Sequence, residues 1–229
     1  MASEYIRRAI QWRQMDLDYT FFQMLFICCS PKKLYQLASW RKRTKNQWAR
    51  DDPAFIVILA AGLIVSSLAY SIAFRAGFVG FFLSSVWTIL VELLACGAVC
   101  ASVTHYITKN YMIKEDHDSS ELEWLFSFDI HCNSYLPVYL LTHVIQYFFL
   151  PVLLGSSFPC VLLSVLLYSS SLAFYCLHTV AGYSVMPIVR RTEIFLAPTL
   201  VLAPAFLACL LLRINITELS IWARLWTSC

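Results

Sequence analysis

The chain has 229 residues, 59% hydrophobic and 14% charged, with mean hydropathy +0.66 and a formal net charge of +3. Soluble domains carry roughly 25% charge, so this composition argues against a water-soluble enzyme and fits one compact helical domain in a bilayer. The small net charge argues against nucleic acid as a main partner.

Residues 1–50 read as a basic cytosolic or interfacial segment. Ten of the 17 Lys/Arg lie here: Arg7, Arg8, Arg13, Lys32, Lys33, Arg41, Lys42, Arg43, Lys45 and Arg50. No leading apolar core with a cleavage site opens the segment, so the first span is expected to act as the targeting signal. Residues 17–29, LDYTFFQMLFICC, are apolar and aromatic but too short to cross, which predicts an interfacial helix or a re-entrant piece. Cys28 and Cys29 admit two readings, palmitoylation near a membrane surface or a buried thiol pair. Ser30-Pro31 breaks or restarts the helix.

The stretch 41–52, RKRTKNQWARDD, stands just before a membrane helix. Each Lys/Arg near an anionic leaflet contributes roughly 1 kcal/mol of attraction. Arg41, Lys42, Arg43, Lys45 and Arg50 therefore read either as ordinary anchoring on the cytosolic side or as a face that docks a partner or phospholipid. Trp48 is expected in the headgroup zone. Asp51 or Asp52 is expected to cap the next helix or pair with a nearby arginine, and Pro53 fits its first turn.

Five spans are predicted inside a membrane domain covering 51–213. Span one, about 54–74, has the roughly twenty apolar residues that a helix rising ~1.5 Å per residue needs to cross roughly 30 Å of hydrocarbon. Span two, about 78–108, is long enough to tilt and carries Glu92 mid-span; Cys96 and Cys100 read as small packing residues. A polar segment is expected over 109–135. Within it Asp129, His131 and Asn133 alternate, with Glu123 and Trp124 upstream. An extended segment would put the alternating three on one side, a set that suits a divalent metal. The adopted reading is a polar cap closing the bundle, with pairing to the basic N-terminal segment as the alternative; no metal or cofactor is expected.

Span three, about 136–154, places His143 and Gln146 on one helical face. Span four, about 158–180, carries His178 near its end. Gly182 and Pro187 punctuate its exit, and Arg190 and Arg191 follow. Span five is about 194–213. The tail, 214–229, is short and amphipathic and contains the sequon Asn215-Ile216-Thr217. With the N-terminus cytosolic and the C-terminus lumenal, 14 of the 17 Lys/Arg fall on the cytosolic side and only Arg75, Arg213 and Arg224 opposite.

An ionised carboxylate in hydrocarbon is costly, so Glu92 is expected to face the bundle interior, with His143 as a candidate partner. Glu92, His143, Gln146 and His178 then form either a structural polar clasp or the lining of a small transporter or lipid pocket. No nucleophile elbow, Walker loop, zinc-protease helix or dinucleotide turn is present, so no catalytic residue is assigned.

These motifs resemble the unc-50-like family of eukaryotic Golgi membrane proteins. The matching pieces are Arg13-Gln14-Met15-Asp16, Gln23-Met24-Leu25, Ser30-Pro31 and, most specifically, Thr44-Lys45-Asn46-Gln47-Trp48-Ala49-Arg50-Asp51-Asp52-Pro53-Ala54-Phe55. Further pieces are Glu123-Trp124, Phe128-Asp129-Ile130-His131-Cys132-Asn133, His143 with Gln146, and Gly182-Tyr183-Ser184 with Pro187. The resemblance implies a Golgi-resident, non-enzymatic trafficking factor. It also implies recruitment of an Arf guanine-nucleotide exchange factor and support of surface expression of receptors such as the nicotinic acetylcholine receptor. The chain starts close to the first matching motif, so functions of a longer polar N-terminal tail are not carried over. An assembly chaperone that binds client spans is a third reading.

Overall fold

The computed structural model describes residues 16–115 and 121–225. Arg7, Arg8, Arg13, the first three residues of the Arg13–Asp16 motif and the acidic stretch 116–120 lie outside them. The described residues form helices, with one isolated antiparallel bridge, Ile113 to Val189.

Helix α1, Leu17–Cys29, starts at Asp16, whose carboxylate accepts from the Tyr19 amide at 3.0 Å. It buries Thr20, Gln23 and Ile27 and turns Phe21, Phe22 and Leu25 outward. Ser30 ends α1, and α2, Pro31–Lys45, begins at once with Pro31 in the first turn, where its missing N–H costs nothing. The turn between them is tied to the bundle: His178 Nε2 lies 3.1 Å from the Ile27 carbonyl, and the Tyr35 hydroxyl donates to the His178 carbonyl at 3.0 Å. The two helices thus make a hairpin folded against the bundle. Cys28 and Cys29 are exposed free thiols rather than a buried pair.

Asn46, left-handed at φ +54°, closes α2. Asp52 then accepts from the Ala54 amide at 3.0 Å at the start of α3, Ala54–Ala73, where Pro53 rather than either carboxylate holds the N-cap position. Leu59, Leu63, Ser66, Ser67 and Tyr70 are buried along α3 at spacings of mostly three and four, so one stripe faces inward and the remainder faces lipid. Helix α4, Gly77–Met112, has 36 residues, about 54 Å at 1.5 Å per residue, which exceeds one bilayer core. Two π-helical stretches interrupt it, Thr88–Ala95 and Thr108–Met112.

Helix α5 is the axis of the molecule. It runs continuously through Trp124–Tyr139, the π-helical Leu140–Ile145 and Gln146–Phe148. Every residue from Phe126 to Pro137 is buried. This overturns two expectations. The stretch 124–135 is helix rather than a polar connecting segment, and the third helix therefore begins about a dozen residues before 136. Asp129 and Asn133 are four apart and share a face, whereas His131 points elsewhere, so the one-sided set that an extended segment would give is absent. Pro137 gives up an amide inside α5, and the ladder shifts to π-helical three residues later.

A short helix α6, Leu150–Leu153, leads to α7, Phe158–Ser184, which packs along α5. Residues 112–114 pair with 188–190 through Lys114 N to the Ile188 carbonyl (3.0 Å) and Arg190 N to the Met112 carbonyl (2.9 Å). Helix α8, Thr192–Leu211, buries no residue in its α-helical part, Ala197–Leu211. Helix α9, Ile216–Leu225, folds back onto α4 and α7. Four helices (α3, α4, α7 and α8) are long and apolar enough to cross a membrane, and α5 lies among them. The chain is a helical, multi-pass membrane protein.

Asn215 is buried. Its amide donates to the carbonyls of Leu153 (2.6 Å) and Gly155 (3.3 Å), and its Oδ1 caps α9 by accepting from the Thr217 amide at 3.1 Å. Thr217 is fully enclosed against Ser164 at 2.9 Å. The sequon is therefore a structural cap in the folded chain.

Candidate functional site

The most specific motif, 44–55, is clamped to the start of α5. Arg50 is only 5% exposed and is held from three sides. Its backbone amide donates to Asp129 Oδ2 at 2.6 Å, its Nε lies 3.6 Å from Asp129 Oδ1, and its Nη2 donates to Asn133 Oδ1. Gln23 of α1 accepts from Nη1 at 3.4 Å, and the guanidinium carbon sits 4.1 Å from the centre of the Phe55 ring. Just before it, Glu123 accepts from the amides of Trp48 (2.9 Å) and Ala49 (3.1 Å). Asp52 also accepts from the Asp16 amide at 3.0 Å. Pieces separated by up to 117 residues in sequence, Asp16, Gln23, 48–52, Glu123, Asp129 and Asn133, thus meet in one node. A carboxylate and a guanidinium buried together need such complete bonding, because each alone is costly to desolvate.

Trp48 is 4% exposed and packs on Phe126 with ring centres 5.6 Å apart, so it is a core residue here and not a headgroup anchor. Lys42 lies over its ring at 5.9 Å and donates to the Asn46 carbonyl at 3.4 Å. Lys45 and Gln47 both bond Asp51. Arg41 is half-buried with its Nε unpartnered; burial, then the like charge of Arg50, lowers its pKa. Burial likewise raises the pKa of the Tyr35 hydroxyl. Arg43 and Lys45 are exposed beside Trp40, itself 61% exposed. Lys42, Asn46, Glu121 and Glu123 line an open cavity of ≈ 420 Å³ next to them. The ring of Trp124 is exposed at the surface and its Nε1 donates to Ser102 at 3.1 Å. His131 instead faces α4 and α7, with Nδ1 2.9 Å from the Tyr175 hydroxyl and its ring against Gly97.

A second polar node lies deeper. Glu92 sits in the π-helical stretch of α4 and His143 in that of α5, with Glu92 Oε2 3.3 Å from His143 Nε2, close but not aligned as a hydrogen bond. Paired π-helical interruptions at a polar contact are a frequent mark of functional positions. Gln146 is wholly buried and accepts from the Tyr168 hydroxyl at 2.7 Å. His178 does not join this node; it belongs to the α1–α2 turn, because α7 carries it toward the Arg50 end. In its place stands a residue that sequence reasoning left in the tail. Arg224 of α9 donates from Nε to Glu92 Oε1 at 3.1 Å and from Nη1 to the Thr142 carbonyl at 3.1 Å. The amphipathic pattern of the tail was the one available signal. Among the described residues no group of three or more His, Cys, Asp or Glu is placed to hold a metal.

The UNC-50 family model matches residues 5–225. A Dictyostelium discoideum protein named "Protein unc-50 homolog" is 36% identical over 218 residues, covering 93% of this chain and 84% of the relative. The Caenorhabditis elegans "Protein unc-50" is 36% identical over 210 residues, 91% of this chain and 69% of the relative. The Homo sapiens "Protein unc-50 homolog" is 34% identical over 196 residues, 85% and 76%. No solved structure matches the chain. With a family model covering nearly its whole length and relatives 34–36% identical over most of the chain, the chain belongs to the UNC-50 family.

Proposed function

We propose that the chain is a non-enzymatic trafficking factor of the Golgi membrane. Its N-terminus is cytosolic and its C-terminus lumenal. Its basic α2 recruits an Arf guanine-nucleotide exchange factor and so supports protein transport and surface expression of receptors such as the nicotinic acetylcholine receptor. The observation that carries this reading is the buried Arg50 clamp. It fixes 46–53 to α5, and therefore holds the last turn of α2, with Arg43 and Lys45 exposed, at a constant place on the bundle. Simple anchoring would not need a rigid mount; recognition of a partner's acidic surface does. Anionic lipid headgroups add to the attraction of the same side chains.

The test is an affinity pull-down from detergent-solubilised Golgi membranes with the native chain and with Lys42→Ala/Arg43→Ala/Lys45→Ala, both shown to be monodisperse. Retention of the exchange factor by the native chain and its loss from the variant is the expected result. Absence from both would refute recruitment. A second reading, a small transporter or lipid-binding protein, is favoured by one observation, the partly buried carboxylate of Glu92 in a long apolar helix beside His143. Glu92→Gln separates the two, since it should abolish transport and leave recruitment intact.

A further inference from the structure

We propose that the chamber around Glu92, Thr142 and His143 is a binding site for an alkylguanidinium group. In this structure it is filled by the chain's own Arg224, and it opens to an arginine side chain of another segment when α9 withdraws. The inference is independent of exchange-factor recruitment.

The chamber has the chemistry of a guanidinium receptor. Glu92 lies within a 36-residue apolar helix, where a carboxylate requires a cation, and the cation it meets is a planar fork rather than a point charge. Two separate acceptors take two donors of that fork: Oε1 of Glu92 at 3.1 Å and the main-chain carbonyl of Thr142 at 3.1 Å. Thr142 belongs to the π-helical part of α5, where the regular i→i+4 ladder is interrupted and a carbonyl can turn to a side chain. Tyr70 forms the opposite wall, its hydroxyl donating to the His143 carbonyl at 3.2 Å. Ser67, Ser84 and Thr88 complete the lining.

Two further observations separate a binding site from a plain structural clasp. First, the chamber holds more polar capacity than Arg224 uses. Nε2 of His143, which lines the chamber, lacks an aligned hydrogen-bond partner although the residue is 2% exposed. Only about 10 Å³, roughly one water, stays open beside it, between Tyr70, Thr88 and Arg224. Second, the element that delivers Arg224 is short and is held at few points, the Asn215 cap, Thr217 against Ser164, and Ile221. Helix α9 has ten residues, of which only Thr217 and Ile221 are buried, while Leu219 and Trp222 are more than half exposed. Its apolar seat is the small cluster of Tyr70, Leu150 and Ile221. The tail is thus a short arginine-bearing helix docked in a polar chamber, the arrangement that another such helix would reproduce.

The experiment is thermal unfolding of the detergent-purified full chain, native, Arg224→Ala and Arg224→Ala/Glu92→Gln, titrated with ethylguanidinium. Ethylammonium and sodium at equal concentration are the controls. Arg224→Ala should lose Tm and regain most of it with ethylguanidinium, saturably. The native chain and the double variant should not respond. No saturable recovery, or equal recovery in the double variant, would overturn the proposal. If Arg224→Ala does not survive extraction, it is purified in ethylguanidinium from the start; monodisperse protein only in its presence supports the site, and aggregation in both conditions overturns it. Trypsin supplies a second readout in a variant that keeps the arginine. Cleavage after Arg224, read as loss of 225–229 by intact mass, should be slow in the native chain and fast in Glu92→Gln. Equal rates would contradict occupancy through the carboxylate.

Discussion

Removing the carboxylate of Asp129 tests whether the Arg50 node organises the fold. Asp129→Ala leaves a guanidinium 5% exposed with only neutral acceptors, Gln23, Asn133 and a main-chain carbonyl, and with the like charge of Arg41 nearby, and it deprives the Arg50 amide of its acceptor. Breaking a buried ion pair by removing one partner costs about 3–5 kcal/mol. At about 1.4 kcal/mol per factor of ten, a loss near ~4 kcal/mol lowers the folded-to-unfolded ratio by about 10³. Asp129→Asn keeps an oxygen for the amide and should cost less. Lys45→Ala removes an ion pair whose side chains are 59% and 28% exposed, and should stay within about 1 kcal/mol. The assay is denaturant titration in mixed micelles, with Arg50→Gln and Arg50→Gln/Asp129→Asn closing a double-mutant cycle. Coupling is expected, the double variant losing less than the sum of the singles. If Asp129→Ala cost no more than Lys45→Ala, the node would be a bystander and the mount for α2 would have to be sought elsewhere.

Close helix packing makes two glycines sensitive. A Cβ at Gly97 would stand 2.6 Å from the His131 ring, and one at Gly182 2.9 Å from Ile130, so Gly97→Ala and Gly182→Ala should each lose about 1–3 kcal/mol in the same titration. Glu123→Ala should expose the amides of Trp48 and Ala49, costing about 1–3 kcal/mol and raising hydrogen exchange locally at 48–50. The Asn215 sequon should carry no glycan on the folded protein, shown by an unchanged mass after endoglycosidase, and Asn215→Ala should cost about 0.5–2 kcal/mol through the lost cap.

Much of the helical layout was legible because long apolar runs have one solution in lipid. The starts of α1, α2 and α3 could be read from Asp16, Pro31 and Asp52-Pro53, whose cap chemistry is local. Glu92 beside His143 was also within reach, since a carboxylate in a span demands company. The deepest misreading concerned 124–135. Polar residues there mimic a loop, yet Asp129 and Asn133 are polar because Arg50 is buried against them, and that partner is 79 residues away from Asp129. For the same reason Trp48 read as an interfacial anchor. Arg224 was missed because a short tail gives no local sign that it turns back into the bundle.

The bare flank of α8 has a mechanical consequence. This helix joins α7 at one end through 185–191, where strand-like pairing to 112–114 holds it, and at the other end passes through Asn215 into α9. Its α-helical part lies against α7 yet fully buries no residue, so its inclination is expected to respond to the hydrocarbon thickness around it as well as to that packing. Tryptic cleavage after Arg224 in vesicles of graded acyl length would reveal this as a steady trend, and a flat response would deny it. The bilayer would then act on the tail that carries Arg224 through a single joint, the buried Asn215 anchored to the carbonyls of Leu153 and Gly155.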